Sequence, residues 1–281
     1  MGRRALILVS TSVVAVLALL AGRSLSGSAP EPRYQERPLS DWLVQLADSD
    51  SQAERDRAAV AVRAIGTNAI PTLLQMLNSQ EPPLWTKFLA WRRGGYHPFG
   101  FHFWQPPNNL SRAQAGFDQL GSLAAPAVPD LIKILDDNRS RECSERTATI
   151  LGNIGPAAKA AVPSLLRHAV SKNRSEHYSD FAALGKIHAE PALTVPVLIE
   201  VFSNSPGDRY YAVSVVGQFG GDAKAAVPIL VALISDPSTP STSPHGTGFI
   251  SERENVERAL QSIDPGTYAQ LVSAGKVAPV P

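Results

Sequence analysis

IGPAAKAAVPSLLRHA (154–169) is the stretch on which the reading of this 281-residue chain turns. Three more segments align with it by eye: LGSLAAPAVPDLIKIL (120–135), IHAEPALTVPVLIEVF (187–202) and FGGDAKAAVPILVALI (219–234). Each places a Val-Pro pair at the same point, so that Pro129, Pro163, Pro196 and Pro228 follow one another at 34, 33 and 32 residues. A shorter copy, IGTNAIPTLLQML (65–77), puts Pro71 in the same role. Self-similarity at a near-constant period of this size marks a structural repeat and is to be weighed before any local motif.

Each unit reads as two helices. The first runs from the Ala-Val-Pro element into Leu/Ile-rich sequence, where proline is tolerated because the first helical turn has no internal N–H bond to lose. The second precedes the next Leu-Gly or Ile-Gly, as in RAAVAVRAIG (57–66), SERTATILGNIG (144–155) and RYYAVSVVGQFG (209–220). Small and branched apolar residues recur there at three- and four-residue spacing. The glycine supplies a stop where positive φ is cheap, and the alanine-rich second helices permit neighbouring pairs to approach closely. The pairs fall at 39–48 with 52–66, 68–78 with 111–121, 125–137 with 142–154, 158–171 with 176–187, 192–203 with 208–219, and 223–235 with 251–263, with a last helix near 265–275. Ser40, followed by Asp41, is the expected cap of the first helix.

The pattern resembles HEAT repeats, in particular a bacterial type whose junction reads leucine-glycine or isoleucine-glycine-proline, then alanine-valine-proline-x-leucine. The resemblance covers about residues 39–275, and the opening YQERPLSDWLVQL (34–46) resembles the start of a group of exported bacterial HEAT-repeat proteins. Ile187–His188 and Phe219–Gly220 depart mildly from the junction pattern. What the resemblance implies is an all-α fold, a right-handed α-α superhelix of the HEAT or armadillo type with about six helix pairs. Such a solenoid spans 38–276 and carries inserts at 79–110 and 236–250.

Ahead of the repeats, Arg3 and Arg4 precede an uncharged stretch, ALILVSTSVVAVLALLAG (5–22). Its 18 residues reach about 27 Å as a helix, close to the hydrocarbon thickness of a bilayer. Basic residues before it favour an N-terminus that stays inside. Residues 1–23 are therefore read as a signal-anchor or transmembrane helix, residues 24–37 as a flexible Ser/Gly/Pro-rich linker, and the repeats as extracytoplasmic (periplasmic). Secretion after signal cleavage is the other outcome, but the apolar run is long for a signal peptide, and Pro30 hinders cleavage after Ala29.

Composition excludes several functions. Residues 1–30 hold three arginines and no acid, so the remaining 23 basic and 25 acidic residues give a net charge of −2. That body lacks the basic stripe that nucleic-acid binding needs. The single cysteine, Cys143, allows no internal disulfide and no structural cysteine–zinc site. No phosphate loop, dinucleotide fingerprint or nucleophile elbow is present. The paired His-Glu dipeptides that supply the ligands of di-iron HEAT-repeat hydroxylases are missing too. His97 and His102 do not have a recognised ligand spacing. Arg57, Arg112, Arg146 and Arg209 open second helices without sharing one register, so structural pairing with acids is their expected role. Neither a catalytic residue, a cofactor nor a metal is expected.

The first insert is the informative departure. Residues 85–104 hold 8 of the chain's 19 aromatic residues, together with Lys87, Arg92 and Arg93. Leu84, Phe88 and Trp91 would share one face of a short helix. Large aromatics of this kind either pack back on their own chain, form a protein-binding hot spot, or touch a membrane surface. The partner-binding candidates are Trp85, Phe88, Trp91, Arg92, Arg93, Tyr96, Phe99 and Trp104. The second insert, DPSTPSTSPHGTG (236–248), reads as a solvated loop. The expected function is a non-enzymatic, membrane-tethered scaffold that binds a protein partner. The alternatives are a HEAT-type enzyme or enzyme subunit, lyase-like, and a purely structural component of an envelope assembly. An export segment counts against the first alternative, because a lyase would work in the cytoplasm.

Overall fold

Helices begin and end here where the repeated glycine and proline place them. A computed structural model describes residues 30–79, 109–171, 178–240 and 250–277. The described residues from Arg33 to Val277 form one compact unit. The described part is all-α apart from one short hairpin. Its helices are α1 (Leu39–Asp48), α2 (Gln52–Ile65), α3 (Ile70–Asn78), α4 (Asn109–Leu120), α5 (Val128–Asp137), α6 (Arg141–Ile154), α7 (Val162–Ala169), α8 (Tyr178–Ile187), α9 (Pro191–Asn204), α10 (Pro206–Gln218), α11 (Val227–Ser235), α12 (Glu252–Ile263) and α13 (Pro265–Ser273).

Helices pack as consecutive pairs: α1 on α2, α3 on α4, α5 on α6, α7 on α8, α9 on α10 and α11 on α12, with α13 on α12. The second helices also pack on one another in order, α2 on α4, α4 on α6, α6 on α8, α8 on α10 and α10 on α12. The first helices touch their neighbours less, as α3 with α5 and α5 with α7. One continuous core results, running from Leu39 to Val277. Phe117, Phe181 and Phe202 are its largest fully buried side chains, each worth roughly 1.5–3 kcal/mol of apolar burial.

The junction between pairs is more structured than a bare turn. Gly66, Gly121, Gly155 and Gly220 adopt positive φ of 50–74°, which only glycine does without a Cβ penalty. A 3-10 run follows each: Gly66–Ala69, Gly121–Ala127, Gly155–Ala161 and Gly220–Ala226. The α-helix then opens with proline at its first or second position, as at Pro71, Pro129, Pro163 and Pro228. Residues expected to belong to the first helices therefore form these 3-10 runs, because a proline at the start of α-helix needs no amide donor but bars the helix from extending backwards through it.

Two local expectations are corrected. Helix α1 starts at Leu39, after extended Pro38, and no side-chain cap bond is made there; Ser40 sits inside the first turn. Residues 33–37, in the stretch expected as linker, instead enter a two-stranded antiparallel hairpin, β1 (Arg33–Tyr34) with β2 (Arg37–Pro38). Its turn residues Gln35 and Glu36 both have positive φ, the geometry whose twist suits a two-residue hairpin. Trp42 secures the hairpin: its indole N–H donates to the Tyr34 carbonyl at 3.2 Å, Tyr34 meets it edge-on, and the Arg37 guanidinium lies 4.2 Å over the ring. Among the described residues, no helix is long and apolar enough to cross a membrane. The hydrophobic segment of residues 5–22 lies outside them.

Second helices approach each other at glycine. A Cβ on Gly152 would stand 2.8 Å from Ala183 Cα, and one on Gly217 would stand 3.0 Å from Ala259 Cα. Both obstacles are backbone atoms of the next second helix, so the pair would have to move apart. Gly152→Ala should therefore cost about 1–3 kcal/mol by chemical denaturation. Gly207→Ala, with open space around it, should stay within about 0.5 kcal/mol of the parent.

Candidate functional site

The aromatic candidates Trp85, Phe88, Trp91, Arg92, Arg93, Tyr96, Phe99 and Trp104 lie outside the described residues, as do His97 and His102. The root of their segment is described. Asn109 Nδ2 donates to Ser79 Oγ at 3.1 Å, and Ser79 Oγ donates to the Met76 carbonyl at 2.7 Å. Beside this closure, Arg112 Nη2 meets Asp48 Oδ2 at 2.6 Å with both side chains largely covered, which ties the start of α4 to the end of α1. The two ends of the segment are thus brought together by α3 and α4 themselves. Replacing residues 80–108 with a short Gly/Ser link should leave the helical signal intact and the stability unchanged or about 1–2 kcal/mol higher, since shortening a loop lowers its closure entropy. A cooperative loss of helix on chemical or thermal unfolding would instead mean that the segment completes the core.

A second feature emerges on the second helices. Two residues before each junction stand Ala64, Gln119, Asn153, Lys186 and Gln218, and three residues before the first two junctions stand Arg63 and Asp118. Because the repeat places these positions in register, their side chains meet across neighbouring helices. Arg63 Nη1 donates to Gln119 Oε1 at 2.6 Å, Asn153 Nδ2 to Asp118 Oδ1 at 2.6 Å, and Lys186 Nζ to Asn153 Oδ1 at 2.7 Å. At the far end, Ser262 Oγ donates to the Gly217 carbonyl at 2.9 Å. The result is a polar row that crosses α2, α4, α6 and α8.

Where the row begins, α1, α2 and α4 line an open groove of about 520 Å³. Leu46, Ala59, Val60 and Ala115 give it apolar lining, and Gln52, Arg55, Asp56, Arg63, Asp118 and Gln119 give it polar lining. Arg55 is held by the Ser49 carbonyl at 2.5 Å and Gln52 Oε1 at 2.7 Å. Desolvation by the surrounding helices pushes the Asp118 carboxyl above its ordinary range, against the lowering pull of the Asn153 hydrogen bond and of Lys186. Its residue surface nonetheless stays exposed, so solvent screens much of that cost. A raised carboxyl favours the folded state below the unfolded pKa and loses that contribution as pH rises through the folded value. Asp118→Asn should therefore raise Tm by about 1 °C at neutral pH. The gain should vanish below the ordinary carboxylate range, where both forms are neutral.

Other polar residues serve the fold. Arg146 pairs with Glu142 at 3.1 Å and donates to Gln114 Oε1 at 2.7 Å. Arg209 meets Glu252 at 3.2 Å and donates to the Phe202 carbonyl. Arg57 lies 4.0 Å from Glu54 on an exposed face. Cys143 is buried, with its amide on the Ser140 cap at 3.2 Å. Desolvation pushes its thiol up, the reverse of what a reactive thiolate needs. Ser164, His168 and Asp136 come together, but the Ser164 hydroxyl donates to Asp136 Oδ2 at 3.2 Å, and His168 Nε2 is 3.9 Å from the same carboxylate. The carboxylate, rather than the imidazole, receives the hydroxyl proton, so this order of groups does not activate a serine. Among the described residues, no group of three His, Cys, Asp or Glu could hold a metal ion.

The second insert is described only at its ends. Thr239 is buried and its hydroxyl donates to the Leu233 carbonyl at 2.6 Å, while the Arg253 amide donates to the Pro240 carbonyl at 3.1 Å. Thr239 thus folds back on α11, while Asp236, Pro237, Ser238 and Pro240 around it stay exposed, as expected of a solvated loop. The polar row was absent from the candidates that sequence reasoning selected. Its signal was an amide or cation two residues before each junction from the second onward, visible only when the repeats are read in register. No protein-family model matches the chain, and no curated protein matches it either.

Proposed function

We propose that this chain is a HEAT-type α-solenoid scaffold that binds a protein partner, without catalysis, while tethered by its N-terminal hydrophobic segment on the extracytoplasmic side of a membrane. The observation that carries the reading is the shared polar face of the second helices. Successive pairs contribute one polar position each, and the helices between them offer a groove with mixed lining at one end. Such a face is built by stacking rather than by any one unit, as expected of repeat proteins whose extended surfaces serve binding. The aromatic and basic segment 85–104 supports the same reading, because Trp, Tyr and Arg dominate protein-binding hot spots. Ser79 and Asn109 bond at its root, so α3 and α4 meet without help from it.

The test is affinity capture from membranes with the intact chain and with a Trp85/Trp91/Trp104→Ala variant. A partner held by the first and lost by the second, at unchanged helicity, is the expected result. Identical partners from both would remove the segment from recognition, and no partner from either would sink the scaffold reading.

A further inference from the structure

Four of the five junctions between helix pairs share one geometry, and the fourth in chain order does not. At the position occupied elsewhere by Gly66, Gly121, Gly155 and Gly220 stands His188, with φ +48°. Two residues later Glu190 also has positive φ, +52°. These are side chains that rarely adopt such backbone angles, and they fall in one three-residue turn. The 3-10 run is missing here as well: α9 begins at Pro191 directly, with Pro196 inside it instead of at its start.

The missing run matters for packing. At the second, third and fifth junctions the 3-10 run lies against the preceding first helix, Gly121–Ala127 against α3, Gly155–Ala161 against α5 and Gly220–Ala226 against α9, and at the first junction α1 packs on α4 itself. At the fourth junction α7 has no such neighbour, and its contact with α9 is no larger than that of α5 with α7. The second-helix side is intact. There α8 packs on α10, Gly185 admits the Gln218 side chain, and the His188 imidazole stacks on Phe219 at 4.8 Å and 13°. One side of this joint is held and the other is lightly bridged.

We propose that the His188–Glu190 turn is a hinge, at which α9–α13 swing relative to α1–α8 by opening or closing the α7–α9 side while the α8–α10 contact serves as the pivot. A strained turn that replaces a relaxed one is a feature of switch regions, and motion at a joint concentrates where packing is thinnest. Hinge residues absorb their φ/ψ change in a few positions at element ends.

The test uses the full-length chain in detergent, spin-labelled in pairs at exposed first-helix positions, with buried Cys143 left in place. The pair R167C/E200C spans the turn, from α7 to α9; Q75C/K133C and E200C/A232C span ordinary junctions. A distance distribution at least twice as broad across the turn as in either control is expected. A second variant replaces Ile187–Pro196 by the ten residues of Ile154–Pro163, a swap of equal length. It should narrow the distribution to the control width and slow amide exchange in residues 188–196. Equal widths in all three pairs of the parent chain would overturn the hinge, as would a breadth that the swap leaves unchanged.

Discussion

The close approach of successive second helices is the constraint on which the structure depends. Gly152 faces the backbone of Ala183, and Gly217 that of Ala259, at separations that no larger residue accepts. Dispersion between such surfaces falls steeply with distance, so the small residues let each pair bury its apolar side against the next. The core is continuous because these contacts are repeated, and a single pair would leave one face open. The junctions then act as spacers. A positive-φ residue, a 3-10 run and a proline-started helix return the chain to the right height for the following pair.

The same periodicity organises the polar surface. A residue two places before the junction sits at the same height on every second helix, so Gln119, Asn153 and Lys186 come within bonding distance of side chains one unit away. The net worth of each exposed bond is small. Their shared placement is what gives the proposed scaffold a face with a direction along the array. Asp118 shows the cost of this arrangement, a carboxylate drawn among helices and partly stripped of water.

The polar residues that lie off this face pin the ends of helices. Asp48 with Arg112 and Glu252 with Arg209 join helices from neighbouring pairs, and their covered side chains make them more consequential than the exposed i,i+4 pairs such as Arg258 with Glu254. Ser140, Ser251 and Asp264 cap α6, α12 and α13 with side-chain oxygens. Such caps let helices of nine to fourteen residues end sharply.

By itself the sequence determined the helix pairs, because apolar spacing, glycine and proline act over a few residues. The ranges read from the repeat agree with α1 through α13 to within a few residues at most ends. Local chemistry also disclosed the pairing role of the arginines. Tertiary structure alone decided the rest. The two-stranded hairpin at Arg33–Pro38 exists because Trp42 is there to receive it, a contact that no local propensity encodes. The polar row depends on which helices become neighbours, and although His188 departs from the junction pattern in the sequence, its left-handed turn and the missing 3-10 run appear only in the fold. Interactions within one turn of helix can be read along the chain, whereas those between repeats depend on heights and angles that only packing sets.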